Sequence, residues 1–400
     1  MSYINNPDTL SSSLYPLTYR SSESSAVIQQ SIDVYIGGVL SGSLIAARSQ
    51  VSAGLSIFDT NVQALANQSL APNIDSITSV FSTLNTYSFS ANTDVIKSLY
   101  CTAFNQTLNS SGFIQTSSSP IQSSTAFIYA TDFYENEYNL NRFYQPSANP
   151  FYFLTSQEDL FTHGDANLFL SFYGEGTNAT QIIFTFPNGS TAETIINNLN
   201  NTTNNDIYTT SIGGANIFGT SATFHVGNFP TNIDLYDYYD VSVGSYSGSF
   251  TRMSEIKRVY IEDNCNDNIE LHWLGKYGGA ESFLFKGLIE KNEVAKADII
   301  NLAQTWNVAG GLNKANSYDK QVIKANQTRS KAINVKCSLD ADICLGIASL
   351  LYSPEVYIIE DDKYVNVTIE NGNLVTDNNR ATNIEFTFTI IYKNRVSSYL

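Results

Sequence analysis

Ile269-Glu-Leu-His-Trp-Leu-Gly-Lys-Tyr-Gly-Gly-Ala-Glu-Ser-Phe-Leu-Phe-Lys-Gly287 is the stretch whose reading decides the fold. Leu271 and Trp273, then Phe283 and Phe285, recur at every second position, the period of a half-buried strand. Between the two runs lies Gly275-Lys276-Tyr277-Gly278-Gly279. Glycine supplies the positive φ that a tight reversal needs, so the segment reads as a β-hairpin with one aromatic face. Trp273, Phe283 and Phe285 are its expected core anchors, with no role beyond packing. His272 then points away from the Leu271/Trp273 face.

Downstream, residues 331–337 read as a strand. Ser338-Leu339-Asp340-Ala341-Asp342 opens a helix to about Leu351, its acidic residues at the positive end. Strands follow at 356–359, 364–369 and 384–392. In the last, Ile384, Phe386, Phe388 and Ile390 alternate with Glu385, Thr387 and Thr389, one face apolar and one polar. These elements make a C-terminal domain, 251–400.

Upstream, residues 154–250 read as a β-sandwich-like middle domain. Leu168, Leu170 and Phe172 alternate, as do Ile182, Phe184 and Phe186, ending at the turn Pro187-Asn188-Gly189-Ser190. Ser190 and Glu193 have capping-box spacing, which predicts a short helix through Leu199. Later apolar residues from Tyr208 to Val226 mark further strands. Residues 31–153 read as an α+β domain. Ile32, Val34 and Ile36 alternate before Gly37-Gly38 breaks the run, and a helical pattern runs from Phe58 to Leu70. A helix is predicted over 93–108, capped by Thr93 or Asp94, with Val95, Ile96, Leu99 and Phe104 on one side. Residues 109–124 read as a loop and 127–130 as a strand. Residues 1–30, Ser-rich and without a clear period, read as an arm or irregular leader. The expected fold class is mainly β with a few short helices, as several β-sandwich or β-barrel modules.

Composition narrows the function. Four hundred residues exceed one ordinary core and imply two to four domains. The net charge is −16, from 21 Lys and Arg against 37 Asp and Glu. Such a balance argues against nucleic acid, which needs clustered Lys and Arg, and against an anionic membrane surface. Only 14% of residues are charged, so Ser, Thr and Asn carry much of the surface polarity, which suits extended β-structure packed into an assembly. No apolar run is long enough to span a membrane, and the start lacks a secretory signal. The Asn-x-Ser/Thr sequons then read as a by-product of a composition rich in those residues. Cys101, Cys265, Cys337 and Cys344 lack paired spacing and read as buried thiols.

Chemistry is sparse. His163, His225 and His272 have no metal-binding spacing, and neither a nucleophile elbow nor a phosphate-binding loop occurs. No catalytic, cofactor or metal residues are expected. Candidate carboxylates are Glu158/Asp159, Glu262/Asp263 and the series Asp234, Asp237 and Asp240. That series is interleaved with Tyr236, Tyr238 and Tyr239. It reads as a glycan or partner contact, a Ca²⁺ site, or simply solvated carboxylates. A second aromatic concentration, from Phe133 to Phe153, reads either as a partner surface or as filling between β-layers.

The opening hairpin, with Cys265 before it, resembles a segment of virion proteins from phages that infect Bacteroidetes. There an aliphatic-x-Trp-Leu-Asn-x-x-Gly-Gly-x-acidic-x-Phe-x-Phe run recurs, and Gly275 stands where Asn is common. Leu-Leu-Tyr-Ser-Pro-Glu-Val-Tyr-Ile at 350–358, the Tyr-Val-Asn-Val-Thr-Ile after it, and Ser-Leu-Tyr-Pro-Leu-Thr-Tyr at 13–19 resemble parts of the same proteins. A strand, a helix and several antiparallel strands also look like the tail-tube and distal-tail fold. The resemblance implies a tail or baseplate ring protein located in the virion and assembled in the host cytoplasm. Its partners would be further copies of itself and neighbouring virion proteins. The alternative is a receptor- or glycan-binding spike that contacts a host surface glycan.

Overall fold

The computed structural model describes residues 2–5, 10–12, 16–69, 87–92, 96–129, 152–175, 179–196, 205–218, 235–246, 249–263, 268–286, 288–301, 320–353, 355–374 and 383–392. The chain is mainly β and multidomain, with curled sheets forming sandwich-like modules.

The first module is a ten-stranded sheet folded on itself. The long strand Val39–Ser52 makes the fold: its first half pairs with Val27–Ile36 and its second half with Leu55–Asn61, with the register shifting between Arg48 and Gln50. Leu17, Tyr19, Val34, Phe58, Leu99 and Cys101 fill the space between the layers. Two expectations are corrected here. Residues 18–24 form a strand, Thr18–Ser24, paired along its whole length with Leu55–Asn61, so the irregular leader does not extend to residue 30. The helix expected over 93–108 is the strand Ile96–Leu108, in register against Val27–Ile36. Its inward residues are Ile96, Leu99, Cys101, Ala103 and Asn105. The helical pattern after Phe58 resolves into a strand end and a short helix, Gln63–Ser69. The expected loop at 109–124 carries two short strands, Ile114–Thr116 and Ile121–Gln122.

The middle module is a sandwich. One sheet runs in the order Leu160–Thr162, Lys257–Ile261, Tyr238–Tyr246, Ala179–Thr185, Thr191–Ile196; the facing one runs Phe169–Glu175, Asn205–Ser211, Phe89–Asn92. Phe153, Phe172, Phe184, Tyr208 and Tyr239 pack between them. Hydrogen bonding therefore crosses the divisions expected near 153 and 250: Phe89–Asn92 comes from upstream and Lys257–Ile261 from downstream. The helix expected after Ser190 is the strand Thr191–Ile196. Ser190 Oγ donates to Asn188 Oδ1 at 2.7 Å, so it closes the turn rather than capping a helix.

The C-terminal module is a seven-stranded antiparallel sheet. Its order is Ala280–Lys286, Asn268–Leu274, Val356–Glu360, Lys363–Leu374, Asn383–Tyr392, Lys320–Asp340, Leu288–Asn301. The first and last strands of this order are consecutive in the chain, one residue apart, and the sheet curls into a half-barrel. Phe285 consequently faces strand Asn383–Tyr392 across the interior, stacked on Phe386 at 6.0 Å and edge-on to Phe388 at 5.0 Å. The expected helix is present as Ala341–Ile347, continued by a 3-10 turn, Ala348–Tyr352. Asp340 caps it by accepting from the Asp342 amide at 3.1 Å. Ile384, Phe386, Phe388 and Ile390 are buried, as their alternation predicts.

The deciding hairpin forms as read: Asn268–Leu274 pairs with Ala280–Lys286, Leu271 opposite Phe283 and Ile269 opposite Phe285. The Gly275 amide donates to the Gly279 carbonyl, and Gly278 has φ +76°. One feature differs from the half-buried expectation. Both faces are covered: Trp273 and Phe285 face the barrel interior, while His272, Ser282 and Leu284 face the middle module.

Candidate functional site

The residues expected to bind a partner or glycan are placed unevenly. Tyr239 is fully buried in the middle core and its hydroxyl donates to the Ile212 carbonyl, so it offers no ring face to a sugar. Burial holds that hydroxyl well above the usual tyrosine range. Tyr236 lies half-buried against Phe186, 5.1 Å between rings, and accepts from Asn188 Nδ2. Tyr238 carries the Arg258 guanidinium 3.9 Å above its ring. Arg258 also forms a two-pronged pair with Asp240, at 2.8 and 3.1 Å. Asp237 is exposed, and Asp234 lies outside the described residues. Tyr236 and Tyr238 are thus engaged from within, and Tyr239 is structural.

The aromatic concentration from Phe133 lies outside the described residues except for its last two. Phe153 is core, edge-on to Phe172, and Tyr152 is exposed. His163 and His272 are buried, and His225 lies outside the described residues. Glu262 pairs with Lys286 at 2.7 Å. Cys101, Cys337 and Cys344 are buried and free, with burial pushing the Cys101 thiol up to about 12.

The described polar groups converge at the junction of the middle and C-terminal modules. Trp273 Nε1 donates to Ser349 Oγ at 2.9 Å, and Ser349 Oγ donates to Glu281 Oε2 at 2.9 Å. Glu281 Oε1 accepts from the Ser156 amide at 2.9 Å. One carboxylate thereby ties the hairpin, the 3-10 turn and the segment entering the middle module. Burial raises the Glu281 carboxyl above the usual range, and its hydrogen bonds from Ser156 and Ser349 partly offset this. On the opposite face, Glu270 contacts His272 Nε2 at 2.6 Å and accepts from the Asn167 amide. The His272 ring lies edge-on to Phe169 and Tyr364. This junction fixes one module on the other.

A different feature is a strand pair that continues past the neighbouring strand of the sheet. Leu288–Asn301 and Lys320–Asp340 pair from Leu288/Lys336 to Asn301/Lys320, but the neighbouring strand pairs only with Ala332–Asp340. Beyond Asn292 and Ala332, among the described residues, the two strands pair only with each other. The free part runs about nine residues, roughly 30 Å. Its charge is opposite to that of the body. Between residues 293 and 331 lie six of the 21 Lys and Arg and three of the 37 Asp and Glu. The net is +3, which leaves −19 for the rest of the chain. Reading the chain by its total charge misses this segregation; a running charge count along the sequence finds it.

At the other end of the strand Lys320–Asp340 is a pocket of about 330 Å³, lined by Gln157, Glu158, Asp159, Asp340, Asp342 and Ile343. Gln157 is only 4% exposed. Its Nε2 donates to the Ser282 carbonyl, while its buried Oε1 has no hydrogen-bond partner among the described residues. Lys257 lies near enough to feel Glu158 and Asp159, though burial lowers its own pKa. Among the described residues no three metal-binding side chains converge on one point, so the carboxylates do not form a preorganised ion cage.

No family model and no curated protein matches the chain. Among solved structures, one match is the crystal structure of Dpr2 Ig1-Ig2 in complex with DIP-Theta Ig1-Ig3, at 7% identity. It covers 99% of this chain and 89% of that chain with a TM-score of 0.19, too low to bear on fold or function.

Proposed function

We propose that the chain is a structural component of a phage virion, a tail or baseplate ring protein that assembles through β-edges. The projecting hairpin carries this reading. A two-stranded ribbon is marginal at best in water, and among the described residues neither outer edge of this one has a further strand paired to it, which leaves backbone groups that invite one. A protein that keeps such a ribbon on a well-packed barrel has a use for it between subunits. The sequence resemblance to Bacteroidetes phage virion proteins points the same way and supplies the setting.

The test is the mass of the purified chain in solution together with negative-stain images of it, alone and in antibody-labelled virions. Rings, or label along the tail, are expected. A monomer or trimer with label at capsid vertices or distal tips overturns the ring reading in favour of a receptor-binding spike.

A further inference from the structure

We propose that Asn371 is a self-modification site: its side-chain amide is lost by cyclisation onto the Gly372 nitrogen, leaving an aspartate or an isoaspartyl link in the strand. This stands independently of the assembly reading above.

The chain has two Asn-Gly pairs, Asn188-Gly189 and Asn371-Gly372. Glycine makes both reactive in principle, because no side chain shields the nitrogen that follows the asparagine. The fold treats them differently. Asn188 Oδ1 accepts from the Ser190 amide at 2.9 Å and from Ser190 Oγ at 2.7 Å, and its Nδ2 donates to the Tyr236 hydroxyl at 3.2 Å. The Gly189 nitrogen, which would attack, donates to the Phe186 carbonyl at 2.8 Å. Cyclisation there must break these bonds first.

Asn371 sits in a bulge. Pairing passes from Glu370/Thr389 to Asn373/Thr387, so Asn371 and Gly372 together oppose Phe388 alone. Asn371 is exposed, with φ +53°, a conformation that asparagine tolerates better than most residues. Among the described residues its side chain makes no hydrogen bond. A Cβ on Gly372 would lie 2.5 Å from Leu351 Cδ2, and Leu351 packs on the core. The packing that favours glycine at 372 is therefore what keeps Asn371 reactive.

The step needs only water. The Gly372 nitrogen gives up its proton and attacks the Asn371 side-chain carbonyl carbon; a C–N bond forms, the bond to the side-chain nitrogen breaks, and that nitrogen takes the proton and leaves as ammonia. Water then opens the ring. Cleavage on the side-chain carbonyl restores the main chain with an aspartate, and cleavage on the main-chain carbonyl routes the chain through the side chain. Asn371 lines a pocket of about 290 Å³ with Glu290, Lys336 and Thr387, where one carboxylate now faces one ammonium. Either product adds a second carboxylate.

The experiment incubates the full chain at neutral and mildly alkaline pH, folded and in urea. Peptide mass spectrometry follows each Asn-Gly pair, and anion exchange follows the added charge. In the folded chain Asn371 is expected to react roughly tenfold or more faster than Asn188, the factor that one or two hydrogen bonds supply, and faster as pH rises. In urea the two rates should converge. Asn371→Gln should abolish the early charge step. Ser190→Ala combined with Tyr236→Phe, its fold checked by unchanged melting, should raise the rate at Asn188 and leave Asn371 as it was. Equal rates in the folded chain, a faster Asn188, or reaction at both pairs only in urea would each overturn the assignment.

Discussion

Two hairpins lie end to end in the C-terminal module, and they solve opposite problems. Asn268–Leu274 with Ala280–Lys286 is covered on both faces, by the barrel interior and by the middle module. Leu288–Asn301 with Lys320–Asp340 starts one residue later and leaves the sheet for its outer half. The first is held by what it buries, the second by its own ladder. A strand pair gains stability from the layers it touches, so substitutions of similar size should have very different effects in the two.

The largest effect is expected for Trp273→Ala. It removes a fully buried indole and its bond to Ser349, and about 3–5 kcal/mol of stability should be lost, read as a drop in urea midpoint. Gly279→Ala comes next. A Cβ there would lie 2.7 Å from the Leu154 carbonyl and 2.8 Å from Ser171 Cβ, so the junction between modules must shift; about 1–3 kcal/mol is expected. A melting curve unchanged by Gly279→Ala would show that the junction is looser than its contacts imply.

Glu281 adds a pH test. Its folded carboxyl titrates above the unfolded value of 4.5, so the folded state holds the proton more tightly. Stability from this group is then greatest below pH 4.5 and declines as pH rises through the raised folded value. The stability of wild type relative to Glu281→Gln should therefore fall as pH rises above 4.5. A difference independent of pH would assign the charge a smaller cost than its burial suggests. The smallest effect on folding is expected from excising residues 293–331 and joining the ends with a short turn. The melting temperature of the body should barely move while assembly is lost. A large destabilisation would mean that the ribbon is part of the core, and the contrast between the two hairpins would disappear.

Where the inward face of a strand is large and apolar, the sequence is legible. Ile384 to Ile390 and the Leu271/Trp273 run were readable for that reason. The first module was not, because its inward faces are small or polar. In Ile96–Leu108 the buried positions include Cys101, Ala103 and Asn105, while the conspicuous Phe104 points outward, so a count of large apolar residues suggests a helix. In Thr18–Ser24 the inward residues are Tyr19, Ser21 and Glu23. Ser21 donates to Gln30, and Gln30 to Asn105, bridging the two layers with side-chain hydrogen bonds that no hydrophobic period reveals. The expected contact residues divide for a related reason. Tyr239 and Tyr238 are neighbours in sequence but face opposite sides of a strand, one into the core and one under Arg258. The pocket unites residues nearly two hundred positions apart, which only the packing of two modules brings together.

One strand has a mechanical consequence. Lys320–Asp340 is sheet at one end and ribbon at the other, with no loop between, so the ribbon cannot swivel without breaking ladder bonds. Its heading is set instead by bulges: from Lys296 to Asn301 the outgoing strand takes five steps, while the return strand takes eight from Thr328 to Lys320. Bulges bend a strand and sharpen its twist. Deleting or inserting a residue there should turn the ribbon by a fixed step rather than loosen it. In a ring of copies joined through the ribbon, that step is multiplied at every joint. The curvature of the whole array is then written in the count of residues along one strand.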